Sequence, residues 1–127
     1  MDIFNKTPDL SVNNAGIVIF GGLEEQSIED FKKSVDVSLI GSYLVSRLAI
    51  TSMIKKNSGC IINMSSINGV HPGPGTGGYP PAKAGIVSLT QQMSIEWGPY
   101  GIRTNSIAPG FIDAGISKPI YDVNKVR

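Results

Sequence analysis

The sequence predicts an α/β fold: a parallel sheet of about three strands crossed by two main helices. Three observations predict it. Three short apolar segments end in turn residues: "DLSVNNAG" (9–16), "GCIINMSS" (59–66) and "GIRTNSIAPG" (101–110). Two long stretches of helical periodicity separate them. The order strand, helix, strand, helix, strand is that of parallel strands joined by right-handed crossovers.

The first strand is a short apolar run stopped by the loop-forming Asn-Asn-Ala-Gly. Ser27 to Asn57 reads as helix. Ser27 with Asp30 three residues later makes a capping start, and Lys55, Lys56 and Gly59 mark the end. Ile28, Phe31, Val35 and Leu39 define one apolar face. Ile40, Leu44, Leu48 and Ile54 crowd a second. A helix apolar on two sides expects two partners, here a sheet and a partner helix, from this chain or a second subunit. "GCIINMSS" shows little alternation, as in a strand covered on both faces. Even so, both helices are expected on one sheet face, leaving the other largely bare. The loop "NGVHPGPGTGG" (68–78) follows. Ile86, Leu89, Met93 and Trp97 then place a second helix over Pro80 to Trp97. The third strand ends at Pro109-Gly110.

A chain of 127 residues is enough for one modest domain, and 41% apolar content is enough for a core. The net charge is +1 and basic residues are scattered, which argues against nucleic acid or an anionic membrane surface as partner. The one cysteine, Cys60, excludes an internal disulfide framework and reads as a buried, inert thiol. No apolar run approaches the ~18 residues of a membrane span. "MDIFNKTPDL" has no basic region followed by an apolar one. The expectation is a cytoplasmic protein with no membrane partner and no metal site.

In parallel sheets ligands bind outside the carboxyl ends of the strands. Asn13-Asn14, Ser65-Ser66 and Pro109-Gly110 lie at those ends. "GGYPPAKAG" (77–85) sets Tyr79 and Lys83 four residues apart, on one helix face. An ammonium beside a phenol favours the phenolate. Tyr-x-x-x-Lys arises often by chance, and Ser66 alone is an ordinary strand-end serine; their combination carries the weight. Pro80 and Pro81 suit a first helical turn, where backbone donors lack intrahelical partners. Pro also disfavours helical geometry in the residue before it. Regular helix is therefore expected at or after Tyr79, with Tyr79 and Pro80 pulled towards extended geometry.

With these residues in place the sequence resembles the short-chain dehydrogenase/reductase family. "NNAG" (13–16), "INMSS" (62–66), "YPPAKAG" (79–85), "GIRTN" (101–105) and "APGFI" (108–112) match in order and spacing. The resemblance implies a partial Rossmann-like, doubly wound parallel sheet. It implies hydride transfer between NAD or NADP and a small-molecule alcohol or carbonyl substrate. Tyr79 would be the general acid/base. Lys83 would lower the Tyr79 pKa and hold the nicotinamide ribose. Ser66 would hydrogen-bond the substrate oxygen. Asn14, Ala15, Gly16, Pro109, Gly110 and Ile112 would join Tyr79 and Lys83 in binding the cofactor.

The match has gaps. The family's Gly-rich phosphate turn and its NAD-versus-NADP selector have no counterpart. The chain starts where the family's fourth strand would be, and the family's last strand and helix do not appear. Ser38 stands where the family usually has an Asn that supports a proton path from the lysine. Ala114 stands where a Thr commonly contacts the nicotinamide amide. Residues 1–127 are thus expected to be a truncated domain, without the N-terminal cofactor-binding unit, and inactive in isolation. The alternative is a non-catalytic remnant acting only in oligomerisation. In either case the 27–57 and 80–97 helices would form a homo-oligomer interface. A hydrolase using Ser66 and His71 is disfavoured, since no Asp or Glu is placed to orient His71, which reads as an exposed loop imidazole. Asn13 and Ser38 read as structural hydrogen-bonders. The substrate pocket is expected around Asn68, Val70, His71 and the segment after Ile112, a set that fits sugars, steroids and acyl carriers alike.

Overall fold

A computed structural model of the chain describes residues 6–112 and 115–117. Three strands, β1 (Leu10–Asn13), β2 (Gly59–Met64) and β3 (Ile102–Ile107), form one sheet in the order β1-β2-β3. Both pairings are parallel, with Asn13 opposite Asn63 and Met64 opposite Ile107. All three carboxyl ends therefore meet at one edge, as the strand order predicted. Helices α1 (Ile28–Val35) and α2 (Gly41–Lys56) connect β1 to β2, and α3 (Tyr79–Trp97) connects β2 to β3.

The predicted helix start holds: the Asp30 N–H donates to Ser27 Oγ at 3.1 Å. Its end holds too, with Asn57 left-handed at φ 52° and its N–H on the Met53 and Ile54 carbonyls. Between α1 and α2 the chain makes a π turn, Asp36–Ile40, that was not expected. Ile28–Lys56 is thus one run of 29 helical residues, long and apolar enough by length and composition to cross a membrane. The expectation that nothing approached that length needs this correction, because it looked for an unbroken apolar run and here serines interrupt it. In the fold one face of this run is packed, with Ala49, Ile50 and Met53 in the core, and the other is exposed.

The buried face of the run differs from the expected one. Ser34, Ser38, Ser42 and Ser46 are buried at four-residue spacing, followed by Ala49, Ile50 and Met53. Small side chains let α1 and the π turn lie close to α3, and α2 close to β1 and β2. The Ser34 and Ser42 hydroxyls donate back to the carbonyls of Asp30 and Ser38, so their burial leaves them satisfied. Ile28, expected on a packed face, is 81% exposed. Ile40, Leu44 and Leu48 are exposed with Tyr43, while Ile54 packs on the core.

That core joins Ala49, Ile50 and Met53 of α2 to Ile61 of β2 and Ile102 of β3, with Trp97 against it. Along β2, buried residues alternate with half-buried ones. α2 and α3 share one face and the other is open, as expected of the two helices; only the reading of β2 as covered on both faces is corrected. Leu10, Val12 and Ile107 are exposed there, and Cys60 is half-buried rather than sealed in.

Candidate functional site

Below the carboxyl edge of the sheet lies a platform of polar side chains. Asn13 Nδ2 donates to Asn63 Oδ1 at 2.7 Å and to Ser46 Oγ at 2.8 Å. Asn63 Nδ2 donates to Thr90 Oγ1 at 2.9 Å, joining α3 to the same network. Buried amides linked this way fix strands and helices in register. Asn13 is structural here, as expected.

Above this platform the strand ends are stitched together. The Ser65 N–H donates to the Ile107 carbonyl at 2.8 Å and the Ile67 N–H to the Pro109 carbonyl at 2.9 Å. Ser66, held between them, caps a short 3₁₀ turn, Ile67–Gly69, its Oγ accepting the Asn68 N–H at 3.2 Å. A hydroxyl that accepts there keeps its own proton for another acceptor. The turn packs directly on the α3 backbone: a Cβ on Gly69 would lie 2.8 Å from the Lys83 carbonyl carbon, so only glycine fits. Ser65 Oγ donates to the Lys83 carbonyl at 2.7 Å and completes the joint.

The start of α3 is held by a clasp that sequence reasoning missed. The Gly78 N–H donates to Gln26 Oε1 at 2.7 Å, and Gln26 Nε2 donates to the Ile19 carbonyl at 3.0 Å. The Tyr79 N–H donates to the Thr76 carbonyl at 3.0 Å. Tyr79 is the first residue of α3, with Pro80 and Pro81 in the first turn. Regular helix thus begins at Tyr79, within the expected bound, while the expected extended geometry of Tyr79 and Pro80 is corrected. The clasp fixes the turn ahead of Pro80, and tertiary contacts override the local preference.

Lys83 is buried, at 4% exposure. Its Nζ donates to the Met64 carbonyl at 2.7 Å and lies 5.5 Å from the centroid of the Tyr79 ring. Burial pulls its pKa below the ordinary 10.5. A Cβ on Gly16 would lie 3.1 Å from Lys83 Nζ and 3.5 Å from Ser38 Oγ, so these three residues meet at one point. Ser38 lies in the π turn, fully buried, with no hydrogen-bond partner for its hydroxyl.

Ser66, Tyr79 and Lys83 line one cavity of about 340 Å³. Of the expected cofactor residues, Asn14, Gly16, Pro109, Gly110 and Ile112 are on its wall and Ala15 is not. Of the expected substrate residues, Asn68 is on the wall, while Val70 and His71 are not. Ile116 represents the segment after Ile112. Ala114 lies outside the described residues.

These residues fit the nicotinamide end of a dinucleotide: the space where a Gly110 side chain would stand is open, and Asn14 is exposed beside it. Among the described residues, the helix N-termini do not fit a pyrophosphate. Such a group needs free N–H donors at a positive helix end. α1 opens with Glu29 and Asp30. α2 continues from the π turn and has no free start. In α3, Pro80 and Pro81 have no N–H, and those of Gly78 and Tyr79 are spent on Gln26 and Thr76.

The family model for short chain dehydrogenases matches residues 5–125. A 3-oxoacyl-(acyl-carrier-protein) reductase, FabG, of Chlamydia muridarum is 43% identical over 116 residues, covering 91% of this chain and 47% of the relative. The crystal structure of NAD+-bound xylitol dehydrogenase superposes with a TM-score of 0.81 at 31% identity, over 84% of this chain and 42% of that one. ElxO, solved with NADP bound, superposes with a TM-score of 0.84 at 33% identity, over 92% of this chain and 48% of that one. The chain thus spans about half the length of the relatives it matches. Sequence, strand order and cleft agree, and the chain belongs to the short-chain dehydrogenase/reductase family.

Proposed function

We propose that this chain carries the reacting end of an NAD- or NADP-dependent oxidoreductase that interconverts an alcohol and a carbonyl compound. The observation that carries the reading is the convergence of Ser66, Tyr79 and Lys83 on one cavity wall. Tyr79 exchanges a proton with the substrate oxygen. Ser66 donates its hydroxyl proton to that oxygen; the Asn68 N–H fixes its oxygen through one lone pair and leaves the proton to donate. A donor placed where alkoxide charge develops stabilises the transition state. Lys83, fixed by the Met64 carbonyl, presents its amine to the nicotinamide ribose and to Tyr79. The unpartnered Ser38 hydroxyl beside it stands where a proton path from Lys83 would pass. Asn14, Gly16, Pro109, Gly110 and Ile112 would hold the nicotinamide end. The cofactor, when bound, supplies or accepts the hydride.

The test is a chimera placing the N-terminal half of the Chlamydia muridarum reductase ahead of this chain. Tyr79→Phe in it should lower kcat by about 10²–10⁴-fold with cofactor affinity nearly unchanged, since it removes proton transfer and little binding. A fall below tenfold would remove Tyr79 from the role.

We propose further that the 127-residue chain alone does not turn over, which the spent helix N-termini support. It associates with itself through the 27–57 and 80–97 helices, a reading supported by the exposed Ile40, Tyr43, Leu44 and Leu48. Those residues equally favour the second reading, a non-catalytic chain acting only in oligomerisation. A chimera that folds, binds cofactor and shows no Tyr79-dependent turnover would select it. A cytoplasmic setting belongs to the same proposal.

A further inference from the structure

Apart from the residues assigned to the cofactor end, the cleft lining carries a set of apolar side chains. Val18 and Phe20 come from the loop after β1, Ile67 from the turn after β2, and Phe111 and Ile116 from the segment after β3. Phe20, Ile67, Phe111 and Ile116 are between 39% and 57% exposed although they surround a concave surface. Exposed apolar side chains gathered at a cleft mark a surface that something apolar covers. The polar groups beside them, Asn68 and Thr76, are neutral. Among the described residues no Asp, Glu or Arg lines the cavity, and its one charged residue, Lys83, has its amine on the Met64 carbonyl.

We infer that this wall selects an uncharged carbonyl compound carrying an aliphatic chain, and discriminates against polyols and sugar acids. The inference rests on the proposed function, which supplies the carbonyl end; the wall supplies the rest. A polyol would set several hydroxyls against Val18, Phe20, Ile67 and Ile116, and each hydroxyl buried there without a partner is costly. A carboxylate would find no Arg on the described wall and only the buried Lys83 ammonium, one of whose donors is held by the Met64 carbonyl. An aliphatic chain extending from the carbonyl held by Ser66 and Tyr79 covers those same side chains. Each methylene it buries should tighten binding by about fourfold.

The test measures binding to the 127-residue chain by saturation-transfer NMR, using 2-butanone, 2-hexanone, 2-octanone, xylitol and gluconate, with the ketones ¹³C-labelled at the carbonyl. Affinity should rise at least tenfold from 2-butanone to 2-octanone, and xylitol and gluconate should bind more weakly than either. Phe20→Ser and Ile116→Ser should flatten the rise; both side chains are partly exposed, so the core is undisturbed, and circular dichroism checks the fold. The labelled carbonyl separates the two readings. If its resonance moves on binding and loses that movement in Ser66→Ala and Tyr79→Phe, yet affinity ignores chain length, the substrate class is wrong and the site stands. If affinity follows chain length but the carbonyl never moves, the proposed function is wrong. Xylitol or gluconate binding as tightly as 2-octanone, or no saturable binding of any ketone, overturns the inference.

Discussion

The reacting floor of the cleft and the helix starts around it spend their hydrogen-bond donors in opposite ways. On the floor, Ser66 is held through its lone pair and Lys83 through one donor, so a hydroxyl proton and amine protons stay available to the cavity. At the helix starts, Ser27 takes the Asp30 N–H, Gln26 takes that of Gly78, Thr76 takes that of Tyr79, and two prolines have none. The floor can bind and polarise a small oxygen. The starts cannot grip a diphosphate. On the proposed function, chemistry and cofactor grip would rest on different features: the first on Ser66, Tyr79 and Lys83, the second on free helix ends that the described helices do not offer.

The largest effect that would break this contrast is the Tyr79→Phe loss of turnover in the chimera, described above. The next tests the packing that carries the floor. Ser46 is fully buried and accepts from Asn13, which in turn positions Asn63. Ser46→Leu should destabilise the chain by about 1–3 kcal/mol through overpacking, read as a lower urea midpoint. An unchanged midpoint would mean that the serine face is not closely packed.

A smaller effect concerns Lys83. Burial disfavours its charged form, so its folded pKa lies below the unfolded 10.5. The unfolded chain then binds more protons between these two values, and stability must rise with pH across that window. The penalty is full below the folded pKa and vanishes above 10.5. Lys83→Met should therefore be stabilising near neutral pH relative to the parent, with the gain shrinking as pH climbs to 10.5. Parallel pH–stability curves for the two proteins would contradict the burial of the ammonium. The smallest effect on stability belongs to Leu44→Asp. It should change folding free energy by no more than about 0.5 kcal/mol. It should nevertheless shift the mass measured by light scattering towards monomer, and a parent that is already monomeric would remove the interface.

How far the sequence revealed this contrast depends on where each feature's cause lies. Strand order, the Ser27 cap and the meeting of Ser66, Tyr79 and Lys83 follow from local patterns and parallel topology, so they were legible. The serine face was not, because apolar periodicity points to Ile40, Leu44 and Leu48, and the packing instead buries the small residues between them. The Gln26 clasp joins positions 52 apart in sequence and leaves no local trace; it also explains why Tyr79 is helical despite Pro80. Val70 and His71 looked like pocket residues by their place in the loop, but the 3₁₀ turn carries Asn68 to the wall and leaves them outside. Spacing alone could not separate Asn14 and Gly16 from Ala15 between them.

Calorimetry of the purified 127-residue chain with NAD, NADH, NADP and NADPH, followed by turnover with an alcohol and ketone panel, tests whether the chain can hold the cofactor. The account predicts no micromolar binding and no turnover, since positioning the cofactor supplies several kcal/mol of the barrier and the described helix starts offer it no phosphate donors. Micromolar binding, with turnover that disappears in Tyr79→Phe, would contradict it.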